Sequence, residues 1–389
     1  MIKIERSERL EKLPPYLFVE IDKAKKRARD AGRDIIDLGV GDPDIPTPNF
    51  IINALNRAVK DPSTHRYALD QGLPEFRNAA VKWLKRRFGV DMDPETEVHP
   101  LIGSKEGIAH IPLAFINPGD AVLVPDPCYP PYRSGTIFAG GEIIPMPLRA
   151  EHHFLPDLKA VNHHLLHKAR MLFINYPNNP TAATCDKRFL KDVVEFARKH
   201  NIIVCCDAAY SEIAFDGLKP PSIFEVEGAK DVAVEFHSLS KTFNMTGWRI
   251  GFAAGNARII EGLAKVKANI DSGVFSAIQR AGIAALDNYE KHIRSVIKIY
   301  EDRRNVLVDG LNALGWNVPK PKATFYVWVK VPPRYTSVTF ASALLEKCDI
   351  VATPGNGFGD AGEGYVRMVI TVDKRRLAEA VDRIKKRLT

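Results

Sequence analysis

The chain has 389 residues, 45% of them hydrophobic and 26% charged, and its formal net charge is +8. Because a single hydrophobic core rarely grows beyond about 250–300 residues, this length predicts two domains. No apolar run approaches the roughly 20 residues of a membrane helix, and residues 1–6 lack the apolar core of a secretory signal, so we expect a cytoplasmic protein with no membrane partner.

The cysteines indicate neither a disulfide framework nor a zinc site. Their number is odd, and they form no paired CxxC motifs: Cys128, Cys185, Cys205, Cys206 and Cys348. A reducing cytosol keeps such residues as thiols. We therefore predict no structural disulfide and no metal.

The first predicted element is a basic helix near residues 17–29. Its apolar positions keep helical spacing, which places the lysines and arginines on a solvated face. We interpret this cluster as ordinary helix surface and expect no nucleic-acid partner. A modest positive field would also favour anionic ligands.

Strand-like runs alternate with helical patterns through the middle of the chain. The strand-like runs are residues 121–124, 171–174, 202–206 and 232–236. The helical patterns are residues 104–116, 186–200 and 256–270. This alternation predicts an α/β fold with a mostly parallel sheet.

The last hundred residues show a different order of elements. A long helical pattern over Tyr289–Leu314 precedes a strand-like run at 324–330, a helix near 337–347, a second strand-like run at 365–370 and a closing helix. This order predicts a smaller α+β domain. We expect domains at residues 46–285 and 286–389, with residues 1–45 packing against the second.

The segment Phe236–Arg249 carries the first candidate chemistry. It follows a predicted strand, so Lys241 emerges at a strand end, where α/β sheets bind ligands. A desolvated lysine loses its charge readily and can condense with an aldehyde. Hydroxyls of Ser238 and Ser240 and the guanidinium of Arg249 are suited to a phosphate.

Two further segments follow neighbouring predicted strands. Asp207 and Tyr210 come after residues 202–206, and Asn179 comes after residues 171–174. One cleft would collect all three segments. A pyridine-based electron sink needs these types: an acid for the ring nitrogen, donors for the phenolate oxygen, phosphate ligands and an imine lysine. Taken singly, each has a structural alternative: a surface lysine, a helix-capping aspartate and a turn at Asn179–Pro180.

The order of these motifs extends over essentially the whole chain and resembles fold-type I aminotransferases of classes I and II. The motifs are Gly39–Asp44, Tyr67 with Gly72, Gly103–Lys105, Asp126–Pro130, Asn178–Thr181, Asp207–Tyr210, Ser238–Lys241 and Tyr365–Arg367. Four segments are similar to the LL-diaminopimelate aminotransferase subgroup: Leu13–Phe18, Ile102–Ala109, Glu235–Arg249 and Gly362–Arg367.

The resemblance implies a large domain with a mostly parallel seven-stranded sheet between helices, and a smaller α+β domain. It also implies pyridoxal 5′-phosphate as cofactor and a homodimer with shared active sites. Lys241 would hold the cofactor as an imine and act as base, with Asp207 and Tyr210 as further catalytic residues. Asp207 would pair with the ring nitrogen, while Asn179 and Tyr210 would contact the phenolate oxygen.

The remaining roles also come from the resemblance. Tyr129 would stack on the cofactor ring, and Tyr67 would reach the neighbouring subunit's cofactor. The implied phosphate ligands are Ser104, Lys105, Ser238, Ser240 and Arg249. Arg367 would bind the substrate α-carboxylate. The other implied substrate contacts are Tyr16, Gly41, Lys105, Tyr129 and Asn179.

The implied reaction moves an amino group between LL-diaminopimelate and 2-oxoglutarate in lysine biosynthesis, with glutamate as donor to tetrahydrodipicolinate. The partners are therefore amino acids and 2-oxo acids. The stretch Ala68–Gln71 departs from this subgroup, where a second aromatic is expected shortly after Tyr67. Aspartate or alanine transamination is the alternative, followed by a lyase or racemase and by a non-catalytic binding protein.

Two motifs suggest other functions. The glycines of residues 355–362 mimic a dinucleotide-binding loop, but the segment runs into a predicted strand rather than a helix, so we interpret it as a flexible loop beside Arg367. His163 and His167 have the spacing of a metal pair on a helix. No acidic or cysteine ligand lies nearby in sequence, so we interpret them as surface residues.

Overall fold

The computed structural model describes residues 2–14, 17–68 and 71–388. Its helices are α1 (Glu8–Glu11), α2 (Leu17–Asp30), α3 (Asn49–Ala58), α4 (Pro74–Phe88), α5 (Ser104–Phe115), α6 (Pro131–Phe138), α7 (His163–Leu166), α8 (Lys187–His200), α9 (Ala229–Val232), α10 (Leu239–Thr242), α11 (Ala257–Ala268), α12 (Ser276–Asp287), α13 (Tyr289–Ala313), α14 (Ser337–Cys348) and α15 (Lys374–Arg387). Its strands are β1 (Ile36–Asp37), β2 (Val98–Leu101), β3 (Ala121–Asp126), β4 (Glu142–Pro147), β5 (Ala169–Asn175), β6 (Ile203–Asp207), β7 (Ala233–Ser238), β8 (Gly251–Gly255), β9 (Tyr326–Lys330), β10 (Ile350–Val351), β11 (Thr353–Pro354) and β12 (Tyr365–Val369).

Seven strands form the central sheet, in the order β2-β8-β7-β6-β5-β3-β4. β8 runs antiparallel to both of its neighbours, and the other pairs are parallel. The predicted mostly parallel sheet is therefore confirmed. Helices cover both of its faces, which explains the continuous apolar runs of its inner strands.

Alternate residues of the inner strands serve two separate cores. Leu172 and Ile174 pack in the core that contains α8, whereas Met171 and Phe173 pack with α5 and α11. Because the side chains of a strand alternate between faces, one apolar strand joins both helix layers. The ends of these strands are thereby held in a fixed arrangement.

A smaller antiparallel sheet has the strand order β11-β12-β9 and packs with α13, α14 and α15. β12 lies in its centre and places Arg367 opposite Trp328 of β9. The smaller α+β part expected from the sequence is thus present.

The early segment of the chain joins this smaller part. β1 pairs in parallel with β10, and the Ile36 and Leu38 N–H groups donate to the carbonyl oxygens of Asp349 and Val351. Residues 36–41 therefore run close to β12 and its arginine. The domain limits at residues 45 and 285 stay a prediction.

The five cysteines are free thiols, and all except Cys185 are buried. In the part of the chain that the structure describes, no helix has both the length and the apolarity needed to cross a membrane.

Candidate active site

A cavity of about 270 Å³ opens where β5, β6 and β7 end. Among the residues that the structure describes, its lining includes every predicted site residue except Tyr67: Gly41, Ser104, Lys105, Tyr129, Asn179, Asp207, Tyr210, Ser238, Ser240, Lys241, Arg249 and Arg367. Four further lining residues were not predicted: Val40, Ala209, Thr246 and Tyr326. The cleft proposed from separate sequence motifs is therefore one continuous cavity.

Lys241 lies on the one-turn helix α10, which begins immediately after β7. The Ser238 hydroxyl caps this helix by accepting from the Ser240 N–H at 3.2 Å. The Lys241 ammonium donates to the Gly41 carbonyl at 3.2 Å. Burial, assisted by the positive charges of Arg367 and Arg249 and opposed by Asp42, lowers the pKa of Lys241 to about 8. A reactive neutral amine is therefore accessible near neutral pH.

Asp207 is the last residue of β6 and lies in the cavity wall with 4% of its surface exposed. The Tyr132 hydroxyl donates to its Oδ2 at 2.7 Å, and the Ala209 N–H donates to its Oδ1 at 3.1 Å. Burial raises the pKa of Asp207, against the effect of these two donors. A buried carboxylate in this position is suited to a cationic partner in the cavity.

Small residues bring several anion-binding groups together at one end of the cavity. A Cβ on Gly103 would lie 2.5 Å from Arg249 Nη2, and a Cβ on Gly251 would lie 3.0 Å from the Ser104 nitrogen. The glycines thus let Arg249 approach the first turn of α5. Helix N–H groups, serine hydroxyls and a guanidinium together match the needs of a phosphate.

Arg367 forms the opposite wall and is 1% exposed. Its Nη1 donates to Asn179 Oδ1 at 2.7 Å, and its Nη2 donates to the Gly39 carbonyl at 2.8 Å. The rings of Tyr326 and Phe358 lie 4.3 and 4.6 Å from its guanidinium carbon. This surrounding structure fixes the plane of the guanidinium, so the fork is preorganised for a carboxylate.

Tyr326 completes this wall and was missed from the sequence. Its hydroxyl shares a hydrogen bond with that of Tyr210, and a Cβ on Gly41 would lie 2.6 Å from its ring. Glycine at position 41 therefore lets the chain pass against the aromatic ring. The available signal was that Tyr326 falls within the strand-like run at 324–330, in the same predicted domain as the strand of Arg367.

Asn179 is held by its own loop. Asn175 Oδ1 accepts from the Asn179 N–H at 2.7 Å, and Asn178 Oδ1 accepts from the Thr181 N–H at 2.9 Å. Tyr129 also lines the cavity, and its ring packs edge-to-face against that of Tyr132, with the ring centroids 5.9 Å apart. The loops that follow β3 and β5 thus deliver an amide and an aromatic ring to the same space.

One predicted site residue that the structure describes, Tyr67, does not line this cavity. Tyr67 is 89% exposed. Tyr16 lies outside the described residues, as do Leu69 and Asp70 of the stretch that departs from the subgroup.

The glycine-rich segment near Arg367 is more ordered in its packing than the expected flexible loop. It forms 3₁₀ turns over Gly355–Phe358 and Asp360–Gly362 and then enters β12. The Cys128 N–H donates to the Phe358 carbonyl at 2.9 Å, which ties the segment to the cavity wall. The 3₁₀ turns place the ring of Phe358 over Arg367, so the segment is part of the site. It leads into a strand and not into a helix of the kind that binds a nucleotide.

One group of three described residues, Glu106, His110 and Asp271, lies close enough together to hold a metal ion. The buried Lys267 ammonium lies 2.9 Å from Glu106 and 3.1 Å from Asp271, so a protein cation already pairs with both carboxylates. His163 and His167 are exposed, and the helix at this point covers only His163–Leu166.

Comparison with known proteins bears on this geometry. Residues 33–384 match the family Aminotransferase class I and II. The chain is 55% identical over 381 residues to LL-diaminopimelate aminotransferase of Syntrophobacter fumaroxidans, with 98% of each chain covered. It is 52% identical over 383 residues to LL-diaminopimelate aminotransferase of Moorella thermoacetica, again with 98% of each covered. The substrate-bound BacF structure from Bacillus subtilis superimposes with a TM-score of 0.95 at 40% identity, covering 99% of this chain and 98% of that one.

Proposed function

We propose that this chain, which belongs to the class I and II aminotransferases, uses pyridoxal 5′-phosphate to exchange an amino group between LL-diaminopimelate and 2-oxoglutarate. The observation that carries the proposal is the convergence of Lys241, Asp207 and Arg367 on one cavity. The near full-length similarity to relatives of that name supports the substrate. In lysine biosynthesis the same exchange takes the amino group from glutamate to the open-chain form of tetrahydrodipicolinate.

The donor set fits the cofactor. Asp207 offers a buried carboxylate to a protonated ring nitrogen, while Ser104 and Arg249 lie where glycines leave room for a phosphate. Bound pyridoxal 5′-phosphate supplies an electron sink that stabilises negative charge at the Cα of an amino acid.

The residues of the chain bind the substrate and move its proton. Arg367 binds the α-carboxylate through its fork, and its contacts with Asn179 and the Gly39 carbonyl set the orientation of that fork. Lys241 Nζ accepts the Cα proton as general base, which its lowered pKa allows near neutral pH. A 2-oxo acid then takes the amino group in a second half-reaction, which gives ping-pong kinetics.

Arg367 binds the carboxylate that all amino acids share, so the choice of substrate depends on groups that meet its distal end. A site that hydrogen-bonds the second ammonium and carboxylate of diaminopimelate rejects analogues that lack them. The stretch Ala68–Gln71 lacks the aromatic residue expected shortly after Tyr67, and this departure keeps aspartate or alanine transamination as the second candidate.

The deciding experiment compares kcat/KM for LL-diaminopimelate, its meso isomer, aspartate and alanine, each with 2-oxoglutarate. We expect LL-diaminopimelate to exceed aspartate and alanine by at least about 10²-fold. A higher value for aspartate or alanine would reject the substrate and leave family membership intact. Product analysis with an α-deuterated amino acid would separately exclude a racemase or lyase.

The proposal includes a cytoplasmic homodimer whose Tyr67 reaches the neighbouring subunit's cofactor. Its support is the 89% exposure of this large aromatic side chain in the single chain. Light scattering at assay concentration should give the mass of a dimer, and Tyr67→Phe should lose bound cofactor faster on dialysis. A fully active monomer would contradict the shared site.

A further inference from the structure

Tyr132 is buried beneath the cavity and does not line it. Only 1% of its surface is exposed, and its hydroxyl donates to Asp207 Oδ2 at 2.7 Å. Burial and the neighbouring Asp207 raise the pKa of Tyr132 well above its ordinary value, so the phenol remains a donor at all physiological pH values. The hydroxyl can therefore donate to the carboxylate throughout that range.

The ring of Tyr132 is held in place as firmly as its hydroxyl. It stacks on Phe173 of β5 with centroids 4.8 Å apart and an interplanar angle of 11°, and its edge contacts Tyr129 at 5.9 Å. Tyr129 and Tyr132 stand three residues apart at the start of α6, one lining the cavity and the other beneath it. The same turn of chain thus supports both the cavity wall and Asp207.

The Asp207 carboxylate receives one donor on each oxygen. The Ala209 N–H reaches Oδ1 at 3.1 Å, and the Tyr132 hydroxyl reaches Oδ2. Two donors from different segments fix the plane of the carboxylate, while each oxygen retains a second lone pair for a further partner. Without the phenol, Oδ2 would be a buried acceptor with one fewer donor.

We propose that Tyr132 is a positioning residue for the amino-transfer reaction: its hydroxyl orients the Asp207 carboxylate toward the ring nitrogen of the cofactor and limits how strongly that carboxylate attracts the shared proton. The inference rests on the proposed function. It assigns a task to a residue that touches neither substrate nor cofactor.

Several titratable groups face Asp207, and each must be considered in a test by pH. They are Tyr132 near the start of α6, Cys206 beside it on β6, His237 on β7, Lys241 on α10 and Tyr326 on β9. Burial raises the pKa of Cys206 and of Tyr326, so both stay neutral over the range of the test. The titrations of His237 and Lys241 must be measured alongside that of Asp207.

The first measurement uses the cofactor-free protein. The carboxyl ¹³C resonance of Asp207, assigned by its loss in Asp207→Asn, is followed against pH in wild type and in Tyr132→Phe. Removing a donor to the charged form should raise the pKa of Asp207 by about one unit. The control Tyr176→Phe removes the hydroxyl of another buried tyrosine, which donates to the Phe154 carbonyl elsewhere, and should leave this titration unchanged.

The second measurement uses the holoenzyme and follows the pH at which the visible absorbance of the bound cofactor changes. A more basic Asp207 draws the shared proton toward itself, so the ring nitrogen withdraws less electron density and the transition moves to higher pH. We expect this shift in Tyr132→Phe at wild-type cofactor occupancy, with kcat about tenfold lower and KM within twofold. Incorporating 3-fluorotyrosine at position 132 makes the hydroxyl a stronger donor without removing it and should move the transition to lower pH.

An absorbance transition at the wild-type pH in both altered proteins would overturn the inference, as would an equal shift in Tyr176→Phe. If Tyr132→Phe fails to fold, the fluorotyrosine protein alone decides, by the direction of its shift. Wild-type protein that binds the cofactor but does not transaminate LL-diaminopimelate would reject the proposed substrate, and the two titrations would still test Tyr132.

Discussion

The two walls of the cavity are built in different ways. The lysine wall, comprising Asp207, Ser238, Ser240 and Lys241, comes from the ends of two adjacent parallel strands and the turn after one of them. The arginine wall, comprising Gly39, Gly41, Tyr326, Phe358 and Arg367, combines an early segment, two antiparallel strands and a 3₁₀ turn. The groups proposed for chemistry thus lie on the rigid central sheet, and those proposed for substrate binding lie on an assembly of distant segments.

The largest expected effect tests the lysine wall. Lys241→Ala should lower turnover by about 10⁴-fold, because it removes the only group proposed to accept the Cα proton. Steady-state assays with cofactor in excess measure this loss, and the absorbance of lysine-bound cofactor should disappear with it. Lys230→Ala is the control, since Lys230 is an exposed partner of Glu97. Retained lysine-bound absorbance in Lys241→Ala would contradict the assignment.

The next effect tests whether the arginine wall acts on substrate alone. Arg367→Lys keeps the charge but loses the fork and the stacked plane, so kcat/KM should fall by about 10²-fold. Cofactor affinity, measured by equilibrium dialysis, should stay within twofold of wild type. Arg376→Lys, at a half-buried arginine paired with Asp34 outside the cavity lining, should leave both quantities unchanged. An equal loss of cofactor affinity in Arg367→Lys would remove the distinction between the walls.

A smaller effect follows from the charge state of Lys241. Its pKa is lowered to about 8, chiefly by burial, so the amine is mostly protonated near pH 7 and mostly neutral near pH 9. Since only the neutral amine attacks an aldehyde, cofactor uptake by the cofactor-free protein should quicken roughly tenfold over that interval. Stopped-flow absorbance gives the rate. A rate that rises about 100-fold over that interval and keeps rising to pH 10 would indicate an ordinary lysine, because the neutral fraction of an amine grows about tenfold with each pH unit below its pKa.

The smallest effect concerns the residue that joins the walls. Tyr326→Phe keeps the ring beside Arg367 and Gly41 but removes the hydroxyl bonded to Tyr210. We expect kcat to fall by about fivefold, because one neutral hydrogen bond contributes only about 1 kcal/mol. KM should change less, since the ring that stacks on Arg367 remains. A KM increase larger than the fall in kcat would place the hydroxyl with substrate binding.

The same contrast explains what the sequence revealed. β5, β6 and β7 are apolar runs that end in polar residues, so the lysine wall followed from local pattern. The sequence analysis did not predict β4, because Pro145 and Pro147 weaken its strand pattern. Proline is tolerated there because β4 is an edge strand. β8 escaped because its residues, Gly251–Gly255, are mostly too small to show a strand preference. Tyr326 escaped because its place beside Arg367 depends on pairing between distant strands.

Tyr132 shows a different limit of sequence reasoning. An aromatic residue in the first turn of an apolar helix is usually part of the core, and nothing local indicates that its hydroxyl meets a carboxylate 75 residues away. The contact exists because α6 packs across the ends of β3 and β5. Packing between layers determines it, and a periodicity along one segment does not show it.

The arginine wall joins segments that are far apart in the chain, so it forms late during protein synthesis. The Thr353 hydroxyl donates to the carbonyl of Gly39, which lies 314 residues earlier in the sequence. The partner strands β1 and β10 are separated by a similar length of chain. At roughly 5–20 residues per second, a ribosome needs on the order of 15–60 s to make the intervening chain. During that interval the strands of the central sheet and Lys241 are synthesised, so the lysine wall can form. The arginine wall cannot form until its last residues have been made. The lysine wall can therefore form on the nascent chain before the arginine wall does.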